Sequence, residues 1–212
     1  MRYGMYIDLD TCVACQACTI ACKLENNCSE GSQWNKVIAM GPYGEYPEVK
    51  INFVPVPCQH CDDAPCVKVC PVVATYKRAD GIVMQDAAKC IGCKYCMAAC
   101  PYGVRTFNKT KPYIQSSKDI PAWDHMPEFI NPEVQVRPRH VVEKCTFCVH
   151  LIDKGVKTPA CVAACPSQSC VFGDLDDPKS EIVKRIKLKG TTQLKIEQKT
   201  KPKLYYGAER DR

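Results

Sequence analysis

Residues 90–101 decide the class of this protein, and they read Cys90-Ile91-Gly92-Cys93-Lys94-Tyr95-Cys96-Met97-Ala98-Ala99-Cys100-Pro101. Four cysteines are separated here by two, two and three residues, and a proline follows the last one. Disulfide frameworks spread their cysteines irregularly through loops, whereas spacing this tight suits the ligands of a metal centre. The stretch therefore indicates a metal site.

Three related groups of four cysteines occur elsewhere in the chain, each with two residues between its first two cysteines and three before its last. Group one is Cys12, Cys15, Cys18 and Cys22; group two is Cys58, Cys61, Cys66 and Cys70; group three is Cys90, Cys93, Cys96 and Cys100; group four is Cys145, Cys148, Cys161 and Cys165. A proline follows the last cysteine of groups two, three and four, and Lys23 stands in that position in group one. The groups use sixteen of the eighteen cysteines in the 212 residues.

Group three matches the bacterial ferredoxin run, in which three thiolates hold one 4Fe-4S cubane and the fourth ligates a neighbouring cluster. Three cysteines in one tight loop can reach three corners of a cube. The proline after the fourth fixes φ and removes a backbone donor, so that cysteine is directed away from its own loop. Four such groups predict four 4Fe-4S clusters.

Two other function classes fit less well. Zinc also uses pairs of Cys-x2-Cys, but a tetrahedral zinc site leaves no use for the third cysteine and the later Cys-Pro. Replacement of the cluster in a single group stays open at this point.

The formal charge of +6 could favour nucleic acid, but four cubanes at about −2 each would leave the loaded protein near −2. No basic stripe with interleaved aromatic residues is present, so we predict no nucleic-acid partner.

The two remaining cysteines, Cys28 and Cys170, have no neighbours at ligand spacing and are predicted to be packing residues. His60 is predicted to lie beside a cluster without ligating iron, since thiolates are available. Four lysines, Lys68, Lys89, Lys94 and Lys144, flank the ligands. Either they are solvated surface residues, or their charge raises a cluster's reduction potential.

Between the groups the sequence predicts short elements. Residues 3–9 and 49–56 are expected to form strands, and residues 74–85 a β-hairpin whose turn is supplied by Asp80-Gly81. The three residues before each last cysteine favour a short helical turn. Residues 108–139 contain five prolines and no clear period, which indicates a long loop, and the lysine-rich residues 176–212 are expected to lie along the domain or on a partner.

With these motifs in place, the chain resembles the iron-sulfur subunits of complex iron-sulfur molybdoenzymes, the four-cluster partners of dimethyl sulfoxide, polysulfide-thiosulfate and arsenate reductases. Five stretches carry the resemblance. They are residues 58–71, residues 90–96, Lys144 to Pro166, Phe172 to Pro178, and Lys201 to Tyr206.

The resemblance implies an α+β fold of two ferredoxin-like modules related by pseudo-two-fold symmetry. One module would comprise 1–28 and 140–175, the other 49–107, with 108–139 as an insertion and 176–212 as an extended tail. The implied ligand sets cross between paired groups. They are Cys12, Cys15, Cys18 with Cys165; Cys145, Cys148, Cys161 with Cys22; Cys58, Cys61, Cys66 with Cys100; and Cys90, Cys93, Cys96 with Cys70.

The resemblance also implies that the chain transfers electrons and has no catalytic residues. Electrons would pass between a large molybdenum or tungsten bis-pterin catalytic subunit and a quinol-binding membrane subunit or soluble carrier. A free-standing soluble polyferredoxin is the alternative. No signal peptide or membrane span is found, so we expect assembly in the cytoplasm, where thiols stay reduced. The final site would be cytoplasmic, or periplasmic after export with the folded partner.

Overall fold

The computed structural model describes residues 1–29, 31–109, 131–135 and 137–208. The strands and helices alternate as short segments. In chain order they are β1 Tyr3–Asp8, α1 Ala17–Glu25, β2 Asn35–Tyr43, β3 Lys50–Pro57, α2 Pro65–Lys68, β4 Thr75–Lys77, β5 Val83–Gln85, α3 Tyr95–Ala98, β6 Thr106–Phe107, β7 Val142–Glu143, α4 Val149–Ile152, α5 Ala160–Ala163, β8 Cys170–Asp174, α6 Glu181–Leu188, β9 Thr191–Thr192, a 3-10 turn Ile196–Gln198 and β10 Leu204–Gly207. The fold is a mixture of α and β elements, as expected.

A four-stranded sheet in the order β8-β1-β10-β9 forms one side of the core. Strand β1 is antiparallel to β8, with Met5 opposite Phe172, and parallel to β10, with Met5 opposite Leu204. Met5, Tyr6 and Ile7 are at most 1% exposed. Successive side chains of a strand point to opposite faces, so the burial of all three neighbours shows that both faces of β1 are covered.

The C-terminal residues differ from the sequence-based expectation. We expected 176–212 to lie on a surface, but β10 is an interior strand between β1 and β9. Leu204 is 0% and Tyr206 1% exposed, and Lys203 is buried beside them. The sequence did not predict this strand, because it has only four residues and lysines surround its apolar stretch Leu204-Tyr205-Tyr206.

The helices before the last cysteines are short, and proline sets their length. Helices α2, α3 and α5 each have four residues and stop before a Cys-Pro pair. A residue that precedes proline is disfavoured in the helical region, so the chain must leave the helix there. In group one, Lys23 replaces the proline, and α1, which has nine residues in all, continues past Cys22 to Glu25.

The cysteine loops share a backbone conformation that the sequence did not show. The residue before the second cysteine of every group has a positive φ, and so does the third residue after the last cysteine of the three groups that have proline. These residues are Ala14, His60, Gly92 and Phe147, then Val73, Gly103 and Gln168. Such turns direct successive backbone N–H groups into one concavity, which favours an anion.

This repeat gives a matched test of backbone strain. Val73 and Gly103 occupy equivalent positions, with φ of 53° and 62°, and a Cβ at Gly103 would meet nothing within 4 Å. The left-handed region costs an L-residue roughly 1–2 kcal/mol. Val73→Gly should therefore raise the free energy of unfolding of the loaded protein by about 1 kcal/mol, and Gly103→Val should lower it by a similar amount. Anaerobic denaturant titration measures both, and shifts of the same sign would contradict the strain.

Three two-stranded pairings complete the fold. The predicted hairpin forms, with β4 antiparallel to β5 and Gly81 at positive φ in its turn. Strand β6 pairs with β7. Strands β2 and β3 form a long ribbon, residues 35–57, in which Ile38 lies opposite Val54. The predicted strands at 3–9 and 49–56 are confirmed as β1 and β3.

The predicted loop 108–139 lies mostly outside the described residues, including Trp123 and His125. Its last part contacts α1, where Asn131 donates to the Glu25 carbonyl and carboxylate at 3.1 and 2.9 Å. In the described part of the chain, no helix is both long and apolar enough to span a bilayer.

Candidate metal centres

Three cavities are each bordered by four of the predicted ligands. The first is lined by Cys58, Cys61, Cys66 and Cys100; the second by Cys70, Cys90, Cys93 and Cys96; and the third by Cys12, Cys15, Cys18 and Cys165. Sulfurs that surround a space of this kind fit a polyatomic group. Among the described residues, no three His, Cys, Asp or Glu side chains converge on a single-ion site.

The fourth set comes together in the protein interior. Cys22, Cys145 and Cys148 all lie close enough to Cys161 to interact electrostatically with it. Asn26 Nδ2 donates to both Cys22 Sγ and Cys148 Sγ, at 3.8 and 3.6 Å. The structure thus brings together the same four sets that the resemblance implied.

We number these sites along the molecule. Site 1 is Cys12, Cys15, Cys18 and Cys165; site 2 is Cys22, Cys145, Cys148 and Cys161; site 3 is Cys58, Cys61, Cys66 and Cys100; site 4 is Cys70, Cys90, Cys93 and Cys96. Helix α1 joins sites 1 and 2, because Cys18 and Cys22 are one turn apart. Cys145 of site 2 interacts with Cys58 of site 3, and Cys66 of site 3 interacts with Cys96 of site 4.

Exposure separates the two ends of this row from its middle. Cys15 in site 1 and Cys93 in site 4 are exposed, and each of these sites has two half-buried cysteines. All four cysteines of site 2 are buried, as are three of the four in site 3. The end sites are therefore accessible to other molecules, whereas the inner sites are enclosed.

Burial controls the chemistry of the inner thiols. Burial, followed by the nearby Cys145, Cys22 and Cys148, raises the pKa of Cys161 well above its ordinary value. Burial likewise raises the pKa of Cys61 and of Cys148 to about 11. Since metals bind thiolate, loading these sites must release protons.

Donors around the sulfurs fit negatively charged ligands. Backbone N–H groups of Thr75, Val142 and Phe147 donate to the sulfurs of Cys70, Cys90 and Cys145 at 3.4, 3.5 and 3.4 Å. At Cys165, burial alone would raise the pKa, but hydrogen bonds from Ser169 and Ser167 hold it at about 7. The donor set is therefore suited to thiolates and to the cluster they would hold.

Two buried cations lie among the sites. Arg105 is 4% exposed and lines site 3, where its Nη2 has no hydrogen-bond partner among the described residues. Cys66 and Cys58 of site 3 and Cys96 of site 4 all favour its charged form, so it lies close to both sites. Lys144 is 1% exposed and faces Cys58, Cys145 and Cys66, between sites 2 and 3. The cysteine spacing in the sequence did not indicate that Arg105 would lie beside the sites.

The other three flanking lysines are surface residues. Lys68 pairs with Asp63 at 2.5 Å, and Lys89 pairs with Asp86 at 3.6 Å. Lys94 Nζ lies 4.2 Å from the centroid of the Phe107 ring. The solvated interpretation therefore applies to Lys68 and Lys89, and Lys144 alone among the four is enclosed.

The cysteines and histidine that we did not assign as ligands are also close to the sites. Cys170 lines the site 1 cavity, and Cys28 lies beside Cys22. His60 is 0% exposed, accepts a hydrogen bond from Val83 N at 3.1 Å and stacks on Phe147 with centroids 3.7 Å apart. All three are buried, and His60 lines site 3. Sequence spacing did not reveal that the two cysteines lie next to sites 1 and 2.

Comparison with known proteins agrees with this geometry. Two models of the 4Fe-4S dicluster domain match residues 49–118 and 89–169. A Halobacterium salinarum protein, provisionally named as a dimethyl sulfoxide reductase iron-sulfur subunit, is 47% identical, over 97% of this chain and 78% of its own. The arsenate respiratory reductase iron-sulfur subunit of a Shewanella species is 45% identical, over 97% and 96%. The menaquinone reductase iron-sulfur cluster-binding subunit of Nitratidesulfovibrio vulgaris is 37% identical, over 100% and 90%.

Tandem ferredoxin-like domains with these cysteine-lined sites define an electron-transfer protein that binds 4Fe-4S clusters, and two dicluster domains imply four of them. The chain belongs to the family of iron-sulfur subunits of molybdoenzyme reductase complexes. It is therefore a non-catalytic subunit, and the predicted resemblance is confirmed.

Proposed function

We propose that sites 1 to 4 each hold one 4Fe-4S cluster and that the clusters form a single electron path in that order. The crossed ligand sets would then relate two modules by pseudo-two-fold symmetry, one with sites 1 and 2 and one with sites 3 and 4. The observation that supports this best is the row itself, with exposed sites at both ends and enclosed sites between them. Cubanes with four thiolates leave no iron open to substrate, so their function is to pass electrons.

We infer two partners, one for each exposed end. One is a large molybdenum or tungsten bis-pterin catalytic subunit, and the other is a quinol-binding membrane subunit or a soluble carrier. The names of the relatives support this, since they include arsenate respiratory reductase and menaquinone reductase subunits. They name different substrates, so the substrate is a property of the catalytic subunit.

The ribbon of residues 35–57 is the proposed contact with the large subunit. Its outer part is open on both faces and bears six exposed apolar side chains: Ile38, Met40, Tyr43, Tyr46, Val49 and Ile51. A two-stranded ribbon is marginal in water by itself, and an exposed apolar patch of this kind marks an interaction site. Its base is continuous with one end of the proposed electron path, because Val37 and Pro55 line site 1 beside the exposed Cys15.

Ile51→Asp tests this contact. Ile51 is 53% exposed, so the charge should leave the fold and iron content unchanged while weakening subunit association at least tenfold, about 1.4 kcal/mol. Leu188→Asp is the control, since Leu188 is 83% exposed and lies on α6. Co-purification and titration of the tagged subunits measure the effect, and equal binding by both variants would exclude the ribbon.

Anaerobic purification from native cells, with iron, sulfide, molybdenum and tungsten measured together, tests the function. Four clusters give about sixteen irons per chain, and we expect a co-eluting large subunit with molybdenum or tungsten. About sixteen irons in an isolated chain would leave the free-standing polyferredoxin instead. Zinc in place of iron would refute cluster binding.

We also propose that clusters are inserted in the cytoplasm, where thiols stay reduced, and that the folded subunit either remains there or reaches the periplasm with its catalytic partner. Fractionation of native cells, with antibodies against this subunit, separates the two destinations.

A further inference from the structure

Lys144 is a buried cation that lies beside the cysteines of two metal centres. It follows β7 and precedes the ligand Cys145, and its side chain is 1% exposed. Its Nζ donates to the Val83 carbonyl and, at 2.8 Å, to the Cys145 carbonyl. Within the described ranges it forms no ion pair with an aspartate or glutamate.

An enclosed ammonium group without a counter-charge is costly, because burial removes its hydration. Its two carbonyl partners place it between the inner sites, because Val83 lines site 3 and Cys145 belongs to site 2. Cys58 and Cys66 of site 3 and Cys145 of site 2 favour its charged form, whereas burial and the nearby Arg105 oppose it. The counter-charge of this lysine is therefore supplied by the two inner sites together.

For the inner sites, the costly charge is negative. Reducing a cluster adds a negative charge, and an enclosed site with little water opposes that addition. Sites 2 and 3 are the enclosed ones, and Cys145 and Cys58 lie close enough for their charges to interact. Without compensation, both inner clusters would resist an arriving electron more than the exposed end clusters do.

Building on the proposed function, we propose that Lys144 raises the reduction potentials of both inner clusters, and so keeps the middle of the electron path accessible. A fixed positive charge between the two sites stabilises each reduced form. Arg105 lies close to both site 3 and site 4. Lys144 acts through charge and contacts no substrate.

Lys144→Gln in the intact complex is the test, followed by EPR-monitored redox titration. We expect at least a tenfold fall in the reduced-to-oxidised ratio of the two inner clusters at fixed ambient potential, equal to about 59 mV for a one-electron couple. The outer clusters should change less than twofold. Lys89→Gln is the matched control, because Lys89 also immediately precedes a ligand but is an exposed residue paired with Asp86; it should change no cluster more than twofold.

Lys144→Arg separates charge from hydrogen bonding to the two carbonyls. It retains the charge, so the inner potentials should stay within a twofold ratio of the native protein. A tenfold shift in this variant, or unchanged inner potentials in Lys144→Gln, would overturn the proposal. If Lys144→Gln fails to retain iron, Lys144→Arg decides alone by the same criterion. Iron analysis of the native complex tests the four-cluster arrangement separately. A low iron content there would refute the proposed function, whereas a full iron content with unchanged potentials in Lys144→Gln would refute only the role of Lys144.

Discussion

Cys22→Ser is expected to remove the cluster of site 2 and interrupt the electron path. Iron should fall from about sixteen to about twelve per chain. Electron transfer through the assembled complex should fall at least a hundredfold, because the two ends are then joined only across the gap between sites 1 and 3. Iron analysis and reduction of the catalytic subunit from the far end measure the two effects.

The control for this prediction is the neighbouring cysteine. Cys28 is buried beside Cys22, and its Sγ lies 3.9 Å from the Cys22 carbonyl oxygen, yet it is not in a predicted ligand set. Cys28→Ser should keep about sixteen irons. Equal iron loss in both variants would mean that packing around α1, and not ligation, explains the loss.

Tyr206→Ala should destabilise the protein far more than Tyr205→Ala, although the two residues are adjacent. Tyr206 is 1% exposed; its hydroxyl donates to the Pro55 carbonyl at 3.0 Å and accepts from Gln59 Nε2 at 3.2 Å. Removing a buried aromatic side chain costs about 3–5 kcal/mol. Tyr205 is only half-buried, so its loss should cost about 1 kcal/mol.

Anaerobic denaturant titration of the iron-loaded protein gives both values. A similar small loss for the two variants would mean that β10 is peripheral, as the sequence suggested, and would contradict its interior position. Because Tyr206 bonds to Pro55, which lines site 1, and to Gln59, which lines site 3, loss of iron from Tyr206→Ala alone is a further expected result.

Local rules account for what the sequence predicted correctly. The hairpin at 74–85 follows from alternating strand residues around Asp80-Gly81, and the short helices follow from prolines a few residues beyond them. Cysteine spacing indicated the clusters because three ligands of each come from one cysteine group, so that most of each site comes from one short part of the sequence.

Long-range placement accounts for what the sequence did not predict. Lys89 and Lys144 both precede a ligand cysteine, but only the fold encloses Lys144. Arg105, Cys28 and Cys170 have no spacing signal, and they reach the sites through packing.

The sequence by itself therefore determined the chemistry of this protein: sixteen thiols at cluster spacing, and turns and helices whose lengths are set by nearby proline and glycine. The tertiary structure alone decided the order of the sites, the enclosure of the inner two, the position of the buried cations and the inclusion of β10 in the sheet. The physical reason is that ligand spacing and turns depend on neighbouring residues, whereas burial and charge depend on which distant segments meet.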